Sequence, residues 1–219
     1  MPTAKLLVLV AVFFLTSIVS VVTGSTSLIT VPVMIAFGIE PHIAIATNML
    51  ALTFMSVGGS LPFIRTSAVR RDYLPVSIIL TVVGSGLGAL LLLTVPLRVL
   101  QLTIAVAMIA VTIFTLVKRD LELSTNQKPV SRSATLTGYG VTLLLAVYGG
   151  FFSGGYITML KASFVVFFGM TFLQSVATTK IINVFSSAVA TAIFLWRGVV
   201  DIKLGIFLGI AMFLCKMGF

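Results

Sequence analysis

Two stretches of this chain match each other at a fixed offset of 131 residues, and each holds a Gly/Ser interruption inside an apolar segment too long for one membrane span. Gly24 pairs with Gly155, Phe37-Gly38 with Phe168-Gly169, Ala46-Thr47 with Ala177-Thr178, Phe54 with Phe185 and Ser56 with Ser187. An unbroken helix from Lys5 to Phe37 would be about 50 Å long, against a hydrocarbon core of about 30 Å, which tilt alone hardly absorbs. A break is expected at Thr23-Gly24-Ser25-Thr26-Ser27 in the first half and over Gly149 to Gly155 in the second. Glycine accepts the torsions of a helix break, and serine or threonine hydroxyls satisfy the backbone groups it frees. The apolar stretch after each break, roughly 18 to 21 Å if helical, suffices for half a crossing.

Composition sets the solvent. Apolar residues make up 59% and charged residues 9% of the chain, and the mean hydropathy is +1.23. That is an integral membrane protein, and its long apolar runs suit helices rather than the short alternating strands of a membrane barrel. Apolar segments run over residues 5–37, 43–64, 74–95, 97–117, 134–168, 172–195 and 202–217. The expected fold is all-α and polytopic, with two homologous four-helix repeats, each with a broken first helix. Residues 1–118 form the first repeat, 119–133 a connecting loop and 134–219 the second repeat. The partner of segment 97–117 would begin past Phe219, so seven segments are visible and an eighth is missing from the chain as given. Parallel and inverted repeat symmetry both stay open. Lys5 before an apolar run imitates a secretory signal, but no clear cleavage site follows.

The formal charge of +9 lies in short connections, a pattern of membrane topology rather than of nucleic-acid binding. One side holds Lys5, Arg65, Arg70, Arg71, Lys118, Arg119, Lys128, Arg132, Arg197 and Lys203, and the other holds Arg98 and Lys216. This places the amino terminus and the central connection in the cytoplasm. The lone Cys215 and the single His42 exclude a disulfide framework and the usual zinc clusters, and no cofactor is expected. No Walker-type loop is present, and no triad spacing supports a hydrolase built on Ser153 and His42. His42, beside Glu40 and Pro41, suits either an interfacial cap or a proton relay.

Matching helix breaks in a duplicated membrane protein point to a transporter, because discontinuous segments of two halves commonly converge on the substrate. The acids Glu40, Asp72, Asp120, Glu122 and Asp201 lie in or beside connections, whereas Lys161 and Lys180 are embedded in apolar segments. A charge inside the membrane costs several kcal/mol, so it is paired, faces a cavity, or works. An anion is the natural partner, with snorkelling to the interface as the structural alternative. Helix amino termini near Gly24, Ser25 and Thr26, and near Ser153, Gly154 and Gly155, would offer N–H groups to an oxyanion. Asn48 and Thr179 occupy equivalent repeat positions, next to Thr178, and Asn183 lies one turn beyond; such groups coordinate oxyanions or join helices. Gly84, Gly86 and Gly88, and Gly205 with Gly209, have the spacing of close helix contacts.

The run GGFFSGGYITMLKASFVVFFGMTFLQSVATTKII from Gly149 to Ile182 resembles the second-repeat signature of the TauE/SafE family of sulfite exporters and related anion permeases. In the first repeat the similarity lies in Gly24 to Ser27, Val31-Pro32, Gly38 and Ala44-Ile45-Ala46-Thr47-Asn48. Ser25, Thr26 and Ser27 stand where the family tends to carry further glycines. The resemblance implies an eight-helix permease moving sulfite, organosulfonates or related small anions across a prokaryotic plasma membrane, with no enzymatic activity. The expected partners are the anion and the bilayer, with no nucleic acid; a homo-oligomer stays open. The rival readings are a non-transporting membrane module, such as an assembly or sensor subunit, and a permease for a different small molecule.

Overall fold

The structure is a computed structural model that describes residues 3–23, 26–64, 66–117 and 130–217. Gly24, Ser25, Arg65 and residues 118–129, with Lys118, Arg119, Asp120, Glu122 and Lys128, lie outside the described residues. The chain order is α1 (Thr3–Thr23), α2 (Ser27–Ala36), α3 (Pro41–Ser60) continued by a 3-10 turn (Leu61–Phe63), α4 (Leu74–Thr94), α5 (Leu97–Val117), α6 (Arg132–Phe151), α7 (Tyr156–Phe168), α8 (Phe172–Trp196) and α9 (Ile202–Met217). Pro41–Phe63, Leu74–Thr94, Leu97–Phe114, Arg132–Phe151 and Phe172–Trp196 are long and apolar enough to cross a membrane.

Both long apolar runs are broken where the glycines and serines fall. α1 ends at Thr23 and α2 begins at Ser27; α6 ends at Phe151 and α7 begins at Tyr156. The second break is shaped by Ser153 (φ 66°) and Gly155 (φ 78°), both in the left-handed region that ends a right-handed helix. At 10 and 13 residues, α2 and α7 are about 15 and 20 Å long, about half and two-thirds of a bilayer core.

α3 is the most enclosed of the long spans and α5 the least. α3 packs on α8 and α9, and α8 in turn on α4; α4 lies along α6, and α1 along α9. Exchanging α1–α4 with α6–α9 turns α4·α6 into α9·α1, α3·α9 into α8·α4, and leaves α3·α8 in place. Hydrogen bonds follow the same exchange. The Arg70 backbone N–H donates to Thr178 Oγ1 at 3.2 Å, and 131 residues away in each partner the Asp201 N–H donates to Thr47 Oγ1 at 3.0 Å.

Small residues set the close approaches. A Cβ on Gly88 would lie 2.0 Å from the Val147 carbonyl oxygen, and one on Gly150 2.1 Å from that of Ser85, so α4 and α6 touch backbone to backbone. Gly205 and Gly209 admit Leu50 and Phe54 of α3, whereas Gly86 leaves ordinary contact distances. The outward faces carry exposed Ile79, Leu102, Leu144 and Phe207, as a lipid-facing surface requires.

Candidate substrate site

The two broken helices meet at a small cavity lined by Thr26, Leu52, Met55, Ser153, Ile157, Lys180 and Asn183. Thr26 precedes α2, and Ile157 lies in the first turn of α7, so the amino-terminal ends of both half-helices border the same space. Aligned peptide dipoles make such ends favourable for negative charge. Thr26 and Ile157 are equivalent at the 131-residue offset, as are Leu52 and Asn183. The cavity therefore sits where the two halves face each other. Its two long-helix walls differ in polarity, because Lys180 and Asn183 come from α8 while the equivalents Met49 and Leu52 on α3 are apolar. Among the described residues, no carboxylate lines it.

A chain of hydrogen bonds holds the first break against the second. Thr30 Oγ1 donates to Asn48 Oδ1 at 2.7 Å, Asn48 Nδ2 donates to Ser27 Oγ at 2.9 Å, and Ser27 Oγ lies 3.1 Å from Ser153 Oγ. All but Ser153 are buried. On the other wall Asn183 Nδ2 donates to Ser56 Oγ at 2.5 Å, joining α8 to α3. The Tyr148 hydroxyl donates to the Gly154 carbonyl at 2.5 Å and pins the second break from within α6. Lys180 is 9% exposed, so its charge is largely taken out of solvent. The cavity measures about 10 Å³, the room of roughly one water molecule. Anything larger than a water enters only when the walls separate.

The sequence profile of the sulfite exporter TauE/SafE family matches residues 9–216. The chain belongs to the TauE/SafE family. It is 30% identical over 206 residues to a probable membrane transporter protein, ORF9, of a Sinorhizobium species, covering 92% of this chain and 76% of the relative. It is 27% identical over 200 residues to a probable membrane transporter protein of Haemophilus influenzae, covering 91% and 78%. The figures for the probable membrane transporter protein YfcA of Escherichia coli K12 are 27% over 218 residues, covering 96% and 78%. No solved structure gives a significant match. Together with the apolar spans, these likenesses make this TauE/SafE member a multi-pass membrane protein of a transporter family.

Of the residues singled out in the sequence of this TauE/SafE chain, Thr26, Ser153, Lys180 and Asn183 line the cavity, and Asn48 is linked to it through Ser27 and Ser153. Gly24 and Ser25 lie outside the described residues. Gly154 packs on Phe152 and Leu28, and Gly155 on Val111 of α5. Thr178 and Thr179 point elsewhere: Thr178 accepts the Arg70 N–H, and Thr179 donates to the Ser175 carbonyl at 2.7 Å within its own helix. Lys161, 4% exposed, stands 5.5 Å over the Phe172 ring at the start of α8. His42 joins the Glu40 carboxylate at 2.8 Å to the Val95 carbonyl at 3.0 Å, tying the start of α3 to the end of α4. Sequence reasoning missed Tyr148, whose only signal is a tyrosine six residues before Gly154, and Ser56, marked only as a repeat match.

Proposed function

We propose that this TauE/SafE protein is a secondary permease for small sulfur-containing anions such as sulfite or an organosulfonate, bound where the two helix breaks meet. One observation carries the reading: a largely buried lysine lines a cavity without carboxylates among the described residues, at the junction of two half-helix amino termini. Lys180 supplies the charge, Asn183, Thr26 and Ser153 supply hydrogen bonds, and the apolar wall of Leu52 and Met55 keeps other charges out. Asn48 holds Ser27 and hence the first break in place. The exchange of packing between the halves supports two related repeats that rock about the site. The basic connections favour a cytoplasmic amino terminus in a prokaryotic plasma membrane, and no step of covalent chemistry enters the account.

Saturable binding of sulfite or short alkanesulfonates to the purified protein in detergent, followed by calorimetry, tests the proposal. The reading expects saturation with a small oxyanion and none with a small organic cation. Absence of binding to every sulfur anion, in protein that remains monodisperse, returns the weight to a non-transporting module or a different substrate.

A further inference from the structure

Four hydroxyls among the described residues are buried without a hydrogen-bond partner: Ser77 Oγ, Thr81 Oγ1, Tyr156 Oη and Ser163 Oγ. Their residues are 0%, 0%, 1% and 6% exposed. An orphaned hydroxyl in an apolar interior is destabilising, and serine or threonine in a helix ordinarily escapes by donating to the carbonyl four residues back. Ser85, the next hydroxyl along α4, does so to Thr81 and also donates to Ser186 of α8 at 3.0 Å. Ser77 and Thr81 do not.

The four are arranged, not scattered. Ser77, Thr81 and Ser85 follow one another at intervals of four along one face of α4, and Tyr156 and Ser163 are seven apart on α7. The Tyr156 hydroxyl is directed at Thr81 and Ser186 but meets neither at hydrogen-bond geometry. Phe168 at the far end of α7 packs on Tyr73, just before α4, with ring centroids 5.0 Å apart. The two helices thus run past each other in opposite senses, with Tyr156 level with Thr81 and Phe168 level with Tyr73. The inner end of the row is next to cavity-lining residues in the chain: Ile157 follows Tyr156, and Asn183 precedes Ser186 by one turn.

The repeat relation shows that the fold does not demand the hydroxyls of Ser77, Thr81 and Ser186. The positions equivalent to Ser77 and Thr81 are Leu208 and Met212 of α9, both fully buried, and the equivalent of Ser186 is Met55. At these three places of the interface one half holds hydrocarbon. The other lines it with hydroxyls, on the side of the cavity that carries Lys180 and Asn183.

We infer that the hydroxyls of α4, α7 and α8 form a hydrated passage by which a small oxyanion moves between the central cavity and the membrane side that holds Tyr73. Neutral donors suit that task. They hydrogen-bond an oxyanion and its water without trapping it as a second cation would. The inference rests on the anion-permease reading above, so its test is one that does not need transport.

Ser77→Cys and Thr81→Cys are placed singly in a Cys215→Ala background and treated with the sulfonate reagent methanethiosulfonate ethylsulfonate. Ile79→Cys, on the 63% exposed lipid-facing side of the same helix, is the control. A thiol reacts as thiolate and so needs water, and the Ser77→Cys and Thr81→Cys variants are expected to react about tenfold or more faster than the control. Rates no faster than that of the control overturn the passage. A second measurement uses the unsubstituted protein: hydroxyl-radical labelling by X-ray radiolysis should modify Tyr156 despite its burial, and Tyr156 as inert as the buried Phe164 overturns it too. Reactive thiols on α4 in a protein whose anion binding ignores Lys180→Met would keep the passage and remove the central site. Unreactive thiols with Lys180-dependent binding would do the reverse.

Discussion

Lys180 and Asn183 stand one turn apart on α8 and give the cavity its charge and its amide, while Met49 and Leu52 hold the equivalent places on α3. Replacing Asn183 by Leu copies the apolar half onto the polar one. It should weaken anion binding by roughly three- to tenfold, the worth of a hydrogen bond or two, read as a shift in calorimetric Kd. Ser153 makes a second residue-scale prediction through its φ of 66°. Ser153→Ala keeps the left-handed strain and loses the contact with Ser27, whereas Ser153→Gly loses the contact but relieves about 1–2 kcal/mol of strain. The glycine variant should therefore melt at the higher temperature of the two in detergent. Equal melting temperatures would contradict the strain. Lys180 and Asn183 were legible in the sequence because a cation and an amide stand out in an apolar run. The directions of Thr178 and Thr179 were not, since neighbours on a helix point about 100° apart and a threonine is readily satisfied by its own helix or by a passing loop.

At the scale of the element, both helix breaks were legible because a run of Gly and Ser in an over-long apolar segment has little else to do. The difference between Gly86 and its neighbours Gly84 and Gly88 was not. Gly84 and Gly88 share the face that meets α6, while a Cβ on Gly86 would lie 3.7 and 3.8 Å from Val189 and Ile193. Gly88→Ala should destabilise the protein by about 1–3 kcal/mol, because the Val147 backbone cannot yield to the new methyl. Gly86→Ala should be neutral or stabilising by a few tenths to about 1 kcal/mol through helix propensity. Thermal unfolding of the two variants in one detergent decides it, and equal losses would contradict the assigned packing.

Across the whole molecule, the halves exchange packing partners and at least one pair of loop-to-helix hydrogen bonds, and the cavity between them is closed to anything larger than about one water. Transport then requires the breaks to part. Ser27 and Ser153, with hydroxyls 3.1 Å apart, are close enough for a disulfide when both are replaced by cysteine. Oxidation of that pair should abolish uptake into proteoliposomes and reductant should restore it; uptake that continues through the crosslink would show that the site opens another way. The offset of 131 residues was visible in the sequence, but the unequal polarity of the α3 and α8 walls of the cavity was not, since it depends on which helix faces bring Leu52 opposite Asn183. The most direct measurement is sulfite and alkanesulfonate binding by calorimetry to the wild type beside Lys180→Met, each checked for monodispersity. The account predicts saturable binding that falls by about tenfold or more in the variant, the worth of a charge-assisted hydrogen bond. Unchanged affinity in a folded Lys180→Met protein would contradict it.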